Sequence, residues 1–315
     1  MFQFKEYQAK DFDESLVKQV SGDKDTILYF YNPDKSFFNR LEEIYQQDFY
    51  SWFYEEREAM YQLGSEINDG EYLNILLLYP KERNEEKLNR MVDSLLILRY
   101  GKVTLVITEK KEAFISDFLH QNNDKEMAKG GNLLGIINAA LGNMIDDARK
   151  IRDDIISLEN SLNKNGPGRT IFNDLLQLKK HLITLTLTYD SDDKLIEFFK
   201  REKDTLGIDE HGPNGIIHIE EDLDGLKKLA ASYKQYLTSL DTMVNSLSSF
   251  RLNAIMKTLT EISIVLTVPT MIYGLWGINL KLPFEDYSFG YLIVIGISFI
   301  ISLGVWYWIR AMRRL

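Results

Sequence analysis

Two uncharged apolar stretches near the end of the chain decide its fold. Residues 262–280 read ISIVLTVPTMIYGLWGINL, and residues 287–309 read YSFGYLIVIGISFIISLGVWYWI. An apolar run of about 20 residues can cross a bilayer as a helix. One such run could also be the buried helix of a large core, but two runs separated only by KLPFED are hard to explain in that way. We therefore expect two transmembrane helices.

The charges around these stretches predict their orientation. Arg310, Arg313 and Arg314 follow the second stretch, in a basic tail at residues 310–315, whereas the connector at residues 281–286 carries one lysine and two acids. Because basic residues favour the cytoplasmic side, both termini are expected in the cytoplasm and the connector outside. The opening MFQFKEYQAKDFDESL has no basic region followed by an apolar run. We expect a multi-pass protein of the cytoplasmic membrane, with lipid as a partner.

The composition excludes several classes of protein. The 315 residues are 45% hydrophobic and 27% charged, which is typical of a folded chain. The absence of cysteine excludes a disulfide framework, a thiolate metal site and a cysteine nucleophile. The net charge of −10 argues against a nucleic-acid partner, which would require a basic face. An acidic surface suits cations, although solubility is the commoner reason for it.

The sequence does not predict an enzyme. Neither the phosphate-loop nor the nucleophile-elbow pattern occurs, and the histidines lack paired zinc-ligand spacing. We expect no catalytic residues and no resident cofactor. The histidines, which we expect at the surface, are His120, His181, His211 and His218.

The segment 1–125 has the pattern of a mixed α/β domain. A β-like run and two hairpins, each hairpin split by a turn signal, accompany one short helical pattern. The predicted strands are residues 26–31, 58–63, 71–79, 94–99 and 102–108, with the helix at residues 37–47.

The segment 126–204 predicts a helical hairpin. Apolar residues recur at helical spacing over residues 133–162 and again over residues 170–202. The tripeptide Gly166-Pro167-Gly168 separates the two stripes and predicts the turn between them. A glycine- and proline-bearing loop is expected to follow at residues 205–215.

An unusually long helical pattern begins at Ile216. Apolar residues recur every three or four positions, and the next proline is Pro269, inside the first apolar stretch. A helix of this length would extend roughly 90 Å, which implies packing on other helices within the chain or between copies. We expect a stalk helix at residues 216–261 that continues into the first transmembrane helix at residues 262–280. A shift in the stalk should then be felt in the span.

The motifs around the first apolar stretch carry a family resemblance. Asn253-Ala-Ile-Met-Lys-Thr-Leu-Thr260 precedes it, Pro269-Thr270 lies within it, and Gly274-x-x-Gly277-x-Asn279 ends it. This order, with a short connector and a second span ending in basic residues, resembles the CorA family of magnesium and divalent-cation transporters. The resemblance covers the whole chain, but its N-terminal half matches only in the order of elements.

The resemblance implies both fold and function. It implies an α+β cytoplasmic domain, a helical hairpin and one very long stalk helix that continues into a two-helix transmembrane domain. It also implies a funnel-shaped homopentamer that moves divalent cations, most simply Mg²⁺, through a pore lined by five copies of the first span. The same cation could also bind as a regulator.

The family signature at the outer mouth of the pore is Gly-Met-Asn, which here is Gly277-Ile278-Asn279. The aliphatic middle residue resembles a branch that includes zinc-transporting relatives. Transport of Zn²⁺, Co²⁺ or Ni²⁺, with or without proton coupling, therefore stays open beside transport of Mg²⁺. A ring of neutral carboxamide oxygens could hydrogen-bond a hydrated ion without holding it too tightly to leave. The alternative is that Gly-Ile-Asn is only a helix C-terminal cap.

The resemblance further implies a set of pore-lining residues on the first span. At 100° per residue these positions, together with Thr260, fall within one sector of about 120°. The alternative is that the small and hydroxyl residues only pack helices together. The set is Asn253, Met256, Leu259, Thr260, Thr267, Thr270 and Gly274.

Glu261 falls outside this sector, roughly 140° from its middle. A charge within a membrane needs a partner, so we expect a structural ion pair of Glu261 with Lys257 or Arg310.

The start of the stalk carries four acids, which are candidates for a regulatory metal site. The simpler interpretation is that acids at a helix N-terminus complement its dipole. A non-conducting, membrane-tethered sensor or scaffold is the alternative from another functional class. The four acids are Glu220, Glu221, Asp222 and Asp224.

Overall fold

The computed structural model divides the chain into two compact units, Met1–Asp241 and Thr242–Leu315. The residues that it describes are 3–13, 15–16, 25–56, 58–67, 70–80, 92–123, 130–211, 215–277 and 289–312. The tripeptide after Gly277, the predicted connector and the arginines at positions 313 and 314 therefore lie outside the described residues.

The first unit contains a six-stranded mixed sheet with the order β1-β2-β6-β5-β4-β3. Strands β1, β2 and β6 run parallel, whereas β6, β5, β4 and β3 form an antiparallel succession. The five predicted strands and the two hairpins are confirmed. The strands are β1 (Gln3–Gln8), β2 (Thr26–Tyr31), β3 (Met60–Ile67), β4 (Gly70–Pro80), β5 (Val92–Tyr100) and β6 (Val103–Thr108).

Two short helices cover one face of this sheet. Helix α1 (Lys35–Tyr45) begins at Asp34, whose carboxylate accepts a hydrogen bond from the backbone N–H of Phe37. Such a cap satisfies a backbone donor that has no partner within the helix. Helix α2 (Phe49–Tyr54) is capped in the same way by Asp48. Their aromatic residues pack on apolar residues of the central strands to form one core.

The other face of the sheet contacts a long helical hairpin. Helix α3 (Ala113–Asn122) leads into α4 (Gly131–Asn165), and α5 (Arg169–Arg201) follows. Both long helices contact β4. Gly166, at the break between them, has a φ of 68°, a left-handed value that favours glycine. The predicted hairpin and its break are therefore confirmed.

The second half of the chain contains a very long helix, as predicted. After the four-residue helix α6 (Lys203–Leu206), helix α7 runs from Ile216 to Trp276. Within the first unit, α7 buries a line of apolar residues that recur every three, four or seven positions. An ion pair of 2.5 Å between Lys179 and Asp241 joins α5 to α7. The buried line comprises Ile219, Leu223, Leu226, Ala230, Leu237 and Leu240.

Two sequence expectations need correction. The loop expected at residues 205–215 begins with the last two residues of α6. His181, expected at the surface, is buried in the hairpin, and its Nε2 lies 2.8 Å from a carboxylate oxygen of Asp147. A polar residue can occupy the core when a partner on the facing helix satisfies it, and the sequence did not indicate that Asp147 faces His181.

Candidate ion-conducting site

Among the described residues, two helices are long and apolar enough to span a membrane. They are the C-terminal part of α7 and helix α8 (Gly290–Met312). In the second unit, α8 exposes large apolar side chains over most of its circumference, such as Phe299 and Ile300. A helix that is apolar all round is expected in a membrane or in a large core. Since α8 is mostly exposed, these side chains are suited to contact lipid or another protein surface.

Helix α8 buries one narrow line of small and aliphatic residues. Val294, Ser298 and Ser302 are 5%, 1% and 7% exposed, and they recur every four residues. The hydroxyl of Ser302 donates to the carbonyl of Ser298 at 2.8 Å. Small residues let two membrane helices approach closely. The sequence analysis missed this line, although the four-residue spacing of small side chains was the signal that could have found it.

Helix α7 has a matching half-buried face within the second unit. At 100° per residue its members lie within a sector of about 100°. Since this unit consists of α7 and α8 in the described residues, the two buried faces indicate where these helices pack together. The half-buried residues of α7 are Glu261, Val265, Val268, Pro269 and Ile272.

The predicted pore-lining residues lie on the opposite side of α7. The middle of their sector is about 160° from the middle of the half-buried face. Residues 251–260 are exposed all round, so the contrast between the two faces comes from residue 261 onward. The packing of α7 on α8 thus leaves this sector without contact to α8, and we call it the free sector. Its exposed members are Asn253, Met256, Leu259, Thr260, Thr267, Thr270 and Gly274.

The threonine hydroxyls of this sector have a fixed hydrogen-bond arrangement. Thr260, Thr267 and Thr270 each donate to the carbonyl of the residue four positions earlier, at 2.7 to 2.9 Å. A hydroxyl has one donor and two acceptor lone pairs. With the donor used inside the helix, each oxygen presents acceptor capacity outward. Side chains of this kind can accept hydrogen bonds from water.

Two glycines and one proline shape the end of α7. The backbone N–H of Gly277 donates to the carbonyls of Tyr273 and Gly274 at 3.0 and 3.2 Å, which ends the helix. A Cβ atom added at Gly274 would meet nothing within 4 Å, so the single chain does not require glycine there. Pro269 lies inside the helix without an N–H to donate to Val265. Of the signature motif, Ile278 and Asn279 lie outside the described residues.

The predicted ion pair of Glu261 with Lys257 or Arg310 stays a prediction. Arg310 lies near the end of α8, and its guanidinium carbon is 4.9 Å from the ring centroid of Trp306. This is the geometry of a cation–π contact.

The acids at the start of α7 lie among basic side chains. Glu220 pairs with Lys200 at 2.5 Å, and Asp224 pairs with Lys228 at 2.6 Å. Glu221 is exposed. Among the described residues, no group of three histidine, aspartate or glutamate side chains is placed to hold a metal ion. The regulatory site and the dipole-complementing role of the cluster both stay predictions.

The comparison with known families identifies the chain. The profile of the CorA-like Mg²⁺ transporter protein family matches residues 27–313. The chain belongs to this family. CorA-like proteins are ion transporters and not enzymes, as expected for this chain.

The chain is also similar to individual CorA proteins. It is 24% identical over 164 residues to the cobalt/magnesium transport protein CorA of Methanocaldococcus jannaschii. The match spans 52% of this chain and about half (49%) of that relative. The complete structure of the CorA magnesium transporter from the same organism matches with a TM-score of 0.68 at 20% identity, over 89% of this chain and 88% of that one.

The chain is also similar in fold to a protein that is not named CorA. The cytoplasmic domain of ZntB from Vibrio parahaemolyticus matches with a TM-score of 0.52 at 11% identity, over 70% of this chain and 86% of that one. At this identity the similarity concerns the fold alone. The mixed sheet, the helical hairpin and the long helix are therefore common to this chain and to CorA-like structures.

Proposed function

We propose that the chain transports divalent metal cations, most simply Mg²⁺, across the cytoplasmic membrane through a pore lined by α7. The observation that carries the proposal is the free sector of α7. Its hydroxyl, amide and small residues lie on the side of the helix opposite to the face that packs on α8. An exposed polar sector on a membrane helix faces a water-filled path or another protein surface.

The chemistry of the sector suits a hydrated cation. Mg²⁺ gives up its water reluctantly and prefers oxygen ligands. The water molecules around the ion point their hydrogen atoms outward, and the threonine oxygens of α7 have their acceptor lone pairs available because their own protons bond to the helix. Rings of such oxygens would guide the hydrated ion without removing its water.

The same sector contains an apolar segment. Met256 and Leu259 are 52% and 56% exposed, and they lie about one turn apart. Apolar rings close a pore to ions by dewetting, without any need for full steric occlusion. We therefore place the gate at these two residues and the hydrophilic path between Thr260 and Asn279.

A pore of this kind requires several copies of the chain. One pair of helices cannot enclose a water-filled path, so the sector of each α7 must face those of other copies. We propose a homopentamer, as the CorA resemblance implies, with lipid around α8 and with both termini in the cytoplasm. In that arrangement Gly277-Ile278-Asn279 forms the outer mouth, and Asn279 supplies a ring of carboxamide oxygens. The same cation, acting as a regulator, would bind the cytoplasmic part.

A second candidate is transport of Zn²⁺, Co²⁺ or Ni²⁺. The isoleucine at position 278, where the family signature has methionine, favours it. The CorA of M. jannaschii is itself named a cobalt/magnesium transport protein.

Metal uptake into proteoliposomes tests the proposal and separates the two candidates. The purified chain is reconstituted, an inside-negative potential is applied, and Mg²⁺ and Zn²⁺ entry are compared for the wild type and for Asn279→Ala. Mg²⁺ entry driven by the potential alone, and lost in Asn279→Ala, is the expected result. Entry of Zn²⁺ without Mg²⁺ supports the second candidate. Entry of no metal, in vesicles that hold correctly folded protein, contradicts transport and supports a tethered sensor.

A further inference from the structure

Helix α5 buries a carboxyl group that the proposed transport does not use. Asp192 is 2% exposed, at the place where α5 packs on the sheet. Neither of its carboxyl oxygens has a hydrogen-bond partner of normal geometry among the described residues. The preceding residue, Ser191, accepts a hydrogen bond from the backbone N–H of Ala59, so this part of α5 is held close to β3. An ionised carboxylate in such a position is costly unless it is paired.

The charges that face Asp192 come from two helices. Lys227 on α7 is the cation directed toward it, and the neighbouring Asp193 on α5 is the like charge. The ammonium group of Lys227, however, already pairs with Asp193. From β4, the backbone of Leu78 faces the carboxyl group. The hydroxyl of Tyr189, one turn earlier on α5, is also buried.

These surroundings favour the neutral form of Asp192. Burial raises the pKa of its carboxyl group well above the usual value, and the neighbouring Asp193 raises it further, while the Leu78 backbone and Lys227 oppose the shift. When the carboxyl group of Asp192 is neutral, the ammonium group of Lys227 stays paired with Asp193. An ionised one would compete with Asp193 for the same ammonium group, because a buried charge requires a counter-charge.

We propose that Asp192 is a proton-responsive switch in the contact between α5 and α7. With its proton, it lets α5 pack on the sheet while Lys227 stays with Asp193. When it gives its proton to solvent, the carboxylate draws Lys227 away from Asp193 and admits water to the α5–sheet contact. The proposal does not depend on which ion is transported, or on transport at all.

Urea unfolding of the full-length protein in detergent at several pH values tests this switch. Above pH 4 the unfolded chain releases the proton of Asp192, whereas the folded chain keeps it, so stability falls as pH rises. Relative to Asp192→Asn, the wild type should lose up to about tenfold in its folding equilibrium constant for each pH unit, until the raised folded pKa is reached. Asp190→Asn is the matched control, because Asp190 is an exposed aspartate on the same helix; it should keep the wild-type slope.

Infrared spectroscopy of the wild type supplies a second readout that does not require a variant to fold. A carbonyl stretching band of a protonated carboxyl group should be present at pH 7 and should disappear at higher pH. It should be absent in Asp192→Asn and present in Asp190→Asn. In Lys227→Met, the pH at which it disappears should rise, because the opposing positive charge is lost. An equal pH slope in wild type and Asp192→Asn, or no protonated carboxyl band at pH 7, overturns the proposal.

Discussion

At the scale of single residues, the pair Thr258 and Thr260 separates a role in a pore from a role in the helix. Both are exposed, and both donate their hydroxyl hydrogen to the carbonyl four residues earlier, at 3.0 and 2.8 Å. Their contribution to the helix is therefore the same. They differ in direction, because residues two positions apart on a helix point about 200° apart. Thr260 lies in the free sector and Thr258 does not.

Thr260→Val should therefore lower Mg²⁺ uptake into proteoliposomes severalfold, whereas Thr258→Val should leave uptake unchanged. Valine keeps the shape of threonine but removes the acceptor that a hydrated ion would use, an interaction of about 1 kcal/mol in each copy. Initial rates of uptake at equal protein density measure the difference. Equal losses in the two variants, or none in either, would contradict the assignment of Thr260 to the pore.

At the scale of elements, α4 contains two glycines with opposite surroundings. A Cβ atom at Gly135 would lie 2.2 Å from the ring of Phe118 on α3, so this ring must shift when a larger residue stands there. Gly142, two turns later, has nothing within 4 Å of the same position. Gly135 therefore lies against a side chain of α3, whereas Gly142 does not.

We expect Gly135→Ala to destabilise the protein by about 1–3 kcal/mol, the usual effect of overpacking a core. Gly142→Ala should instead stabilise it by up to about 1 kcal/mol, because alanine favours a helix more than glycine does. Chemical denaturation in detergent, read at equal pH, measures both. Similar shifts for the two variants would show that α3 does not pack on α4 at Gly135.

The elements that the sequence predicted correctly have a periodic signal. The hairpins β3-β4 and β5-β6 follow from turn residues between β-rich runs, and α7 follows from apolar spacing. Strand β1 (Gln3–Gln8) was missed because it lies at a sheet edge and buries little of its surface. Helix α2 was missed because its six residues contain too few turns for a helical period to be evident. Helix α3 was missed as well.

The candidate site also has a part that the sequence could predict and a part that it could not. The sector of α7 could be located by a helical wheel, because a wheel needs only the sequence and a regular helix. The face of α7 that packs on α8 could not be located in this way, because it depends on which side of α8 contacts α7. Buried Asp192 and His181 could not be located either: a polar residue inside α5 is read from sequence as exposed, and only the tertiary contacts place it in the core.

At the scale of the whole molecule, the proposed pore depends on assembly. Native mass spectrometry of the detergent-solubilised chain should give a mass of five chains, because the free sector of α7 needs copies of itself to enclose water. Leu303→Ala, at an exposed position of α8 outside the predicted pore sector, is a control that should leave the assembly intact. A monomer under conditions that retain metal uptake would contradict a pore shared between copies.

Pro269 has a mechanical consequence for the span. A helix resists bending through its ladder of backbone hydrogen bonds, and α7 lacks one rung there, between Pro269 and the carbonyl of Val265. Flexure is therefore concentrated at a single joint. Met256 and Leu259 belong to the segment before this joint, and Gly274 belongs to the segment after it. The two ends of the proposed ion path could then widen or narrow separately, each moving about this one joint.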